Sequence, residues 1–239
     1  MKIRFANSRP SGDYALVLPV AGKDRGSLDG LNSAKDSVSA ALDRQRFEGD
    51  ASGVSEQFFD DNGSVRRLLV VGTGMGVSPR DAAEKVGGTA ASRLQTSGEK
   101  SAVIDLSGLG YDAEATARVA LGAALRSWRY DRYRTKLKDN QKPTLDEIVI
   151  VGGDSGAAKR YEERWAAVVE GVSLTRELVT EPANIIYPET FVERVRASLK
   201  DTGVEVEILD RAAMEKLGMW RDCASEPIPA PPLPACSKR

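Results

Sequence analysis

Three closely spaced glycines form the first pattern in the sequence that could do chemistry. Gly72, Gly74 and Gly76 follow an apolar run at residues 67–71 and precede Ser78-Pro79, which is typical of a helix start. Backbone N–H groups of such a turn can contact a phosphate at the positive end of the helix. The spacing is not that of a dinucleotide-binding turn, and no phosphate-binding lysine follows it. We treat the three glycines as weak candidates for an anion loop, and favour a tight strand-to-helix turn.

A basic and aromatic segment at residues 126–142 is the second candidate. It carries seven Lys and Arg residues against two Asp. Aromatic rings among basic side chains can stack on bases and pair with phosphates. The alternative is a helix end, where basic side chains meet the negative end of the helix dipole. The rest of the chain adds no basic surface, so we do not expect a nucleic-acid partner. The residues of this possible basic patch are Arg126, Arg129, Arg132 and Arg134, interleaved with Trp128, Tyr130 and Tyr133.

Several catalytic chemistries are excluded because the sequence contains no histidine. Hydrolases that use a histidine base are excluded, and so are HExxH zinc proteases. The two cysteines, Cys223 and Cys236, do not form a CxxC pair, which argues against a thiolate zinc site. Glu162, Glu163 and Glu170 alternate with basic residues on a predicted helix, as on a solvated helix face. Any chemistry in this chain would therefore have to use Lys, Arg, Asp, Glu, Tyr or Ser, and no pair of carboxylates is placed convincingly for acid–base catalysis.

The elements that would position these residues alternate between strands and helices. Apolar, β-branched runs predict strands at residues 14–20, 54–59, 65–71, 102–106 and 147–151. Asn62-Gly63 is a hairpin signal between the second and third of these runs. Helical patterns extend from Ser78 to about residue 96 and from Asp112 to Trp128. This alternation predicts an α/β sandwich.

The second half of the chain begins with a long predicted helix. It extends from about residue 155 to the residue before Glu181-Pro182, because a residue that precedes proline disfavours helix. Its two apolar stripes are typical of a connector that packs on two sides. A helix at 188–200, a strand at 204–209 and a helix at 210–217 then predict the start of another α/β domain. Residues 220–239 are rich in proline, which predicts a disordered or extended tail.

The composition shows no bias toward membranes or nucleic acids. Hydrophobic residues make up 41% of the chain, and the formal net charge is −1. No apolar run reaches the roughly 20 residues that cross a bilayer, and the N-terminus lacks a secretory pattern. We therefore expect a cytoplasmic protein without a membrane partner.

Several segments together resemble the leucyl aminopeptidase family, also called the cytosol aminopeptidases. The segments are residues 67–76, 121–136, 174–195 and 204–219. The third is similar to the interdomain segment of the family, which has a short motif ahead of a Pro-led helix. In this chain the motif positions are occupied by Thr180, Glu181, Pro182 and Asn184. Thr180 departs from the pattern, because an Asn is more usual there.

The resemblance implies a domain plan and a chemistry. It implies an N-terminal, macro-domain-like α/β sandwich at 1–154, an interdomain linker helix and loop at 155–187, and the incomplete start of a catalytic peptidase domain at 188–219. The family removes N-terminal amino acids from peptides with two divalent metals, Zn or Mn, held by a Lys, Asp residues and a Glu. It also forms hexamers, so other aminopeptidase subunits are possible partners.

The resemblance ends at Gly218-Met219, and residues 220–239 diverge from the family. The metal-binding lysine segment and the acidic segment of the family do not occur in this sequence. The comparison with the family therefore implies no catalytic residue, no metal ligand and no cofactor in this chain. We therefore expect a truncated aminopeptidase that is inactive as given, with a break in the reading frame as one hypothesis for the tail. Two alternatives stay open: a stand-alone binding module for a nucleotide or ADP-ribose, and a DNA-binding regulatory fragment.

Overall fold

A six-stranded sheet with helices on both faces organises the first part of the molecule in the computed structural model. The structure describes residues 1–61 and 63–219. The chain divides into two compact units, residues 1–175 and residues from 176 onward. The strands of the first unit are β1 (Lys2–Ala6), β2 (Ala15–Val20), β3 (Val54–Asp61), β4 (Ser64–Gly72), β5 (Ser101–Asp105) and β6 (Glu147–Val151). All five strands predicted from apolar runs are confirmed, and β1 is additional.

The sheet has the order β1-β6-β5-β2-β4-β3. Neighbouring strands are parallel except β3, which pairs with β4 as an antiparallel hairpin at one edge. The predicted hairpin is therefore confirmed, although Asn62 of its turn lies outside the described residues. Parallel strands need crossover connections, and helices make most of these crossovers, so the predicted α/β class is confirmed.

Alternate side chains of the central strands supply two separate cores. Along β2, Ala15 and Val17 contribute to the core on one face, and Leu16 and Leu18 contribute to the core on the other. Such alternation follows from the two-residue period of a strand. Because both faces are covered, the central strands are apolar at successive positions, as in other buried parallel sheets.

Two closely packed helices, α2 (Pro79–Leu94) and α3 (Ala113–Ser127), cover the first face. Both begin at capped residues: Ser78 Oγ accepts from the N–H of Asp81, and Asp112 Oδ1 accepts from the N–H of Ala115. Glycines let the two backbones approach. A methyl group on Gly87 would overlap the carbonyl oxygen of Val119, and one on Gly122 would overlap that of Glu84.

A 3-10 segment (Gly26–Ala34) and α1 (Lys35–Arg44) cover the second face. Leu28 and Leu42 are among their fully buried side chains. The apolar patterns of the sequence did not predict these elements, because their few apolar residues are spread over short helical pieces and the 3-10 segment is itself kinked at Asn32.

The long helix of the second half is interrupted by a π-helical turn. α4 (Ala157–Arg160) leads into the π turn Tyr161–Trp165, and α5 (Ala166–Thr180) follows. The end of α5 directly before Glu181-Pro182 is the predicted one. Trp165 is buried against α3, where Ala117 and Leu121 contact it. The centroid of its ring also lies 4.7 Å from the guanidinium carbon of Arg118 and 4.9 Å from that of Arg164.

The second unit contains α6 (Pro188–Leu199) and α7 (Arg211–Lys216), both at predicted positions. The predicted strand at 204–209 is wrong, because these residues form no strand and Val204 and Ile208 are exposed. A strand requires a neighbour to satisfy its backbone groups, and residues 204–209 have none in the described chain. The predicted tail at 220–239, with both cysteines, lies outside the described residues. Within the described ranges, no helix is long and apolar enough to cross a membrane.

Candidate functional site

The glycine turn packs tightly against a neighbouring loop. Gly74 and Gly76 have φ values of 78° and 73°, which favour glycine. Gly72 has another reason to be glycine, because a methyl group there would overlap the carbonyl oxygen of Asp50. The favoured strand-to-helix turn therefore has a direct structural basis.

Backbone carbonyls already accept the first N–H groups of this turn. The N–H of Gly72 donates to the carbonyl of Gly53 over 2.8 Å, and that of Thr73 donates to Val20 over 2.9 Å. The N–H of Gly74 donates to Gly49 over 3.0 Å. An anion bound here would have to displace these bonds or use only the donors beyond Gly74. The anion loop remains a prediction, and the backbone N–H groups of two of its three glycines already donate to backbone carbonyls.

An ion pair lies at the carboxyl end of β5, at the sheet edge where α/β proteins commonly bind nucleotides. Arg9 Nε donates to Asp105 Oδ2 over 2.6 Å, and its Nη1 donates to the carbonyl of Gly30. The Asp105 side chain is only 7% exposed and also accepts the N–H of Ser107. These contacts join three segments of the chain, and both carboxylate oxygens of Asp105 accept hydrogen bonds from protein groups.

The basic patch is divided by the fold. α3 ends at Ser127, so Arg126 lies on a helix while Arg129, Arg132 and Arg134 lie on the following loop. Arg129 Nε donates to Asp131 Oδ2 over 2.6 Å, and Arg134 lies 3.8 Å from the other oxygen of that carboxylate. The Asp131 carboxylate therefore balances only part of the positive charge of this loop. Arg126 instead lines a groove beside α2.

The aromatic residues of this loop contact one another. The rings of Trp128 and Tyr130 stack with centroids 6.1 Å apart, and those of Tyr130 and Tyr133 lie 5.9 Å apart at a tilt. Such pairs contribute packing beyond their buried area. The arrangement favours a structural role for the three rings, and the basic patch as a binding surface remains a prediction.

The interdomain motif contains one buried charge. Glu181 is buried with a side chain 0% exposed, whereas Pro182 and Asn184 are exposed. Arg194 of α6 donates from Nη2 to Glu181 Oε1 over 3.1 Å and from Nη1 to Glu177 Oε1 over 3.4 Å. Arg194 therefore clamps the end of α5 to α6. The resemblance pointed to Glu181, but sequence reasoning missed Arg194.

A second ion network joins the long helix to α3. Glu114 accepts from Arg160 Nε over 2.5 Å and from Arg118 Nε over 3.1 Å. Burial alone would raise the pKa of the Glu114 carboxyl, but the hydrogen bonds from Arg160 and Arg118 outweigh burial. The pKa of Glu114 therefore lies below its ordinary value. Nearby, burial raises the pKa of the Tyr111 and Tyr161 phenols.

Acidic side chains do not converge on a metal site in the part of the chain that the structure describes. Within 1–61 and 63–219, no three His, Cys, Asp or Glu residues are grouped so that they could hold a metal ion. These residues do not fit a two-metal centre, and we derive no catalytic step through a metal in them.

Comparison with known protein families identifies the family to which this chain belongs. Residues 18–137 match the model of the cytosol aminopeptidase family, N-terminal domain. Residues 173–222 match the catalytic-domain model of the same family. The chain belongs to the cytosol aminopeptidase family. The resemblance in the sequence segments is therefore confirmed, and Glu181, Pro182 and Asn184 lie within the catalytic-domain match.

Individual relatives align with most of this chain, but this chain covers less than half of the length of each relative. A probable cytosol aminopeptidase of Afipia carboxidovorans is 38% identical over 79% of this chain and 38% of the relative. One from Caulobacter vibrioides is 35% identical over 92% of this chain and 45% of the relative. The chain thus spans about two-fifths of the length of these cytosol aminopeptidases.

Solved structures show the same fold. A mutant of tomato leucine aminopeptidase superposes with a TM-score of 0.75 at 24% identity, over 91% of this chain and 46% of that one. The bottromycin maturation enzyme BotP in complex with Mn superposes with a TM-score of 0.65 at 21% identity, over 87% and 41%. At these identities the likeness supports the fold alone, and it agrees with the α/β class of the cytosol aminopeptidase family.

Proposed function

We propose that this chain acts as the N-terminal part of a cytosol aminopeptidase, an enzyme that removes N-terminal amino acids from peptides. The observation that carries the proposal is the pair of family matches in the expected order along one chain, at 18–137 and 173–222. In this proposal, residues 1–154 are the macro-like N-terminal domain and 155–187 link it to the catalytic domain. Residues 188–219 start the catalytic domain. The relatives are named cytosol aminopeptidases, which supports a cytosolic location.

The 239 residues alone are proposed not to perform the peptidase reaction. The family activity uses two divalent metals, and one structural relative is described in complex with Mn. The sequence lacks the lysine and acidic segments that the resemblance assigns to the metals. A two-metal site needs several converging oxygen and nitrogen ligands to activate water. We therefore propose that neither Zn nor Mn forms a catalytic centre on these 239 residues.

An activity assay with leucine p-nitroanilide tests this proposal. The purified chain is incubated with Mn²⁺ or Zn²⁺, beside a mock purification and a full-length family enzyme. We expect turnover from the full-length enzyme and none above the mock from this chain. Chelator-sensitive turnover that co-elutes with the chain would overturn the proposal.

Association with other aminopeptidase subunits is the proposed role of the second unit. Its supporting observation is a set of large apolar side chains exposed in that unit, among them Val179, Phe191, Val206 and Leu217. Exposed apolar groups of this number favour contact with another protein surface. Co-expression with a tagged full-length subunit tests the proposal. Co-purification that Phe191→Glu abolishes would support it, and absence of co-purification would reject it.

A further inference from the structure

A positively charged groove runs along one face of α2 in the first unit. Its volume is about 260 Å³. Three cations line it, Lys85 and Arg93 from α2 and Arg126 from the end of α3, and no acidic residue lines it. Three hydroxyl-bearing residues, Ser52, Thr89 and Ser92, also line the groove.

Helix geometry explains why these residues share one groove. Positions 85, 89, 92 and 93 are separated by intervals of about three or four residues, so their side chains lie on the same face of α2. Gly88 lies between them, and a methyl group there would be 3.8 Å from Cβ of Arg126. The missing side chain at Gly88 thus leaves room in the groove where Arg126 approaches α2.

The three cations are not neutralised by protein carboxylates. Other arginines of this unit form ion pairs, including Arg66 with Asp61 and Arg118 with Glu114. Lys85, Arg93 and Arg126 have no ion pair or side-chain hydrogen bond to any described residue. All three residues are exposed, so an anion that enters the groove can reach each positive charge without breaking a protein ion pair.

We propose that this groove binds a compact anion that carries several phosphate charges. Arginine guanidinium groups donate to phosphate oxygens in pairs, and lysine contributes a compact point charge. The hydroxyls of Thr89, Ser92 and Ser52 add neutral donors to the lining. A ligand with at least two negative charges would balance most of the groove's formal charge of about three. No family match assigns a ligand to these residues.

Two of the cations also have a structural explanation, which the test must separate from binding. Arg93 and Arg126 lie in the last turns of α2 and α3, where a positive charge stabilises the negative helix end. That role does not apply to Lys85, which lies in the middle of α2. A purely structural role would change stability without changing any response to an anion.

Calorimetric titration with inorganic tripolyphosphate, at fixed ionic strength, tests the proposal on the full chain. We expect saturable binding of one tripolyphosphate per chain, weakened at least about tenfold by Arg93→Gln, Arg126→Gln or Lys85→Gln. Thr89→Val keeps the shape of the side chain and should weaken binding less. Lys100→Gln, an exposed lysine outside the groove, is the matched control and should leave the affinity within about twofold.

Three results would overturn the proposal. One is the absence of saturable binding at millimolar tripolyphosphate in a chain that is folded by circular dichroism. A second is binding that the groove variants leave unchanged. The third is saturable binding of a duplex oligonucleotide without binding of tripolyphosphate, which would assign the groove to a nucleic-acid backbone instead of a small ligand.

Discussion

Replacing Gly87 with alanine is expected to force α2 and α3 apart. The added methyl group would overlap the carbonyl oxygen of Val119 and lie 2.9 Å from the backbone N of Ala123. Both atoms belong to the backbone of α3, so no side chain can rotate to make room. The neighbouring Gly88 offers a matched control, since its methyl group would meet the carbonyl oxygen of Gly122 at 3.5 Å, an ordinary contact.

The two substitutions gain the same helix propensity but differ in packing. Alanine is favoured over glycine by about 1 kcal/mol in a helix interior. Overpacking costs about 1–3 kcal/mol, and the upper end applies to Gly87 because the clash is with backbone. Gly87→Ala should therefore destabilise the first unit by about 2 kcal/mol, whereas Gly88→Ala should stabilise it by up to about 1 kcal/mol.

Urea unfolding followed by far-ultraviolet circular dichroism measures this difference. The free energies of unfolding of the two variants should differ by about 3 kcal/mol, more than a hundredfold in the unfolding equilibrium constant. Unchanged dependence of the free energy on urea concentration would show that the unfolded states are comparable. The reasoning is refuted if Gly87→Ala proves as stable as Gly88→Ala.

Two further predictions concern ion pairs. Arg194→Gln removes the charged hydrogen bond from Arg194 to the buried Glu181 carboxylate, which costs about 1.5–3 kcal/mol. Limited proteolysis within 176–219 should accelerate, whereas the exposed Arg196→Gln should resemble wild type. Glu114 has a lowered pKa when folded, so its stabilisation is present above the unfolded-state pKa of about 4.3 and is lost as the pH falls through the folded-state pKa. Glu114→Gln should therefore lower the urea midpoint at neutral pH, and its difference in midpoint from wild type should disappear at acid pH. A difference that persists at low pH contradicts this prediction, and so does an equally large decrease in midpoint for the exposed Glu163→Gln.

The sequence predicted the centre of the sheet because its strands are buried on both faces. The run at 102–106 is apolar at nearly every position and could belong only to an interior element. Strand β1, at residues 2–6, lies at the edge of the sheet, where its residues are exposed or partly exposed and include charged side chains. Its sequence therefore had no apolar run that would predict a strand. Residues 204–209 carried a good alternating pattern, but a pattern cannot form a strand without a partner to pair with.

The residues of the candidate sites were harder to predict because they come together from distant segments. Glu181 was found through resemblance, but its partner Arg194 depends on how α6 folds back along the end of α5. Lys85 and Arg93 join Arg126 only because α2 and α3 pack together, and no local spacing relates positions 93 and 126. The division of the basic patch similarly follows from the end of α3 at Ser127.

The two units should contribute very unequally to the heat absorbed on unfolding. Every fully buried apolar side chain of the described residues lies in the first unit, and Glu181 is the one buried residue of 176–219. Globular proteins absorb about 0.7 kcal/mol per residue near 60 °C because a packed interior is disrupted, so the 175 residues of the first unit account for about 120 kcal/mol. The calorimetric peak of this chain is consequently the melting of its sheet and covering helices, while the helices after residue 175 lose their order with little heat of their own.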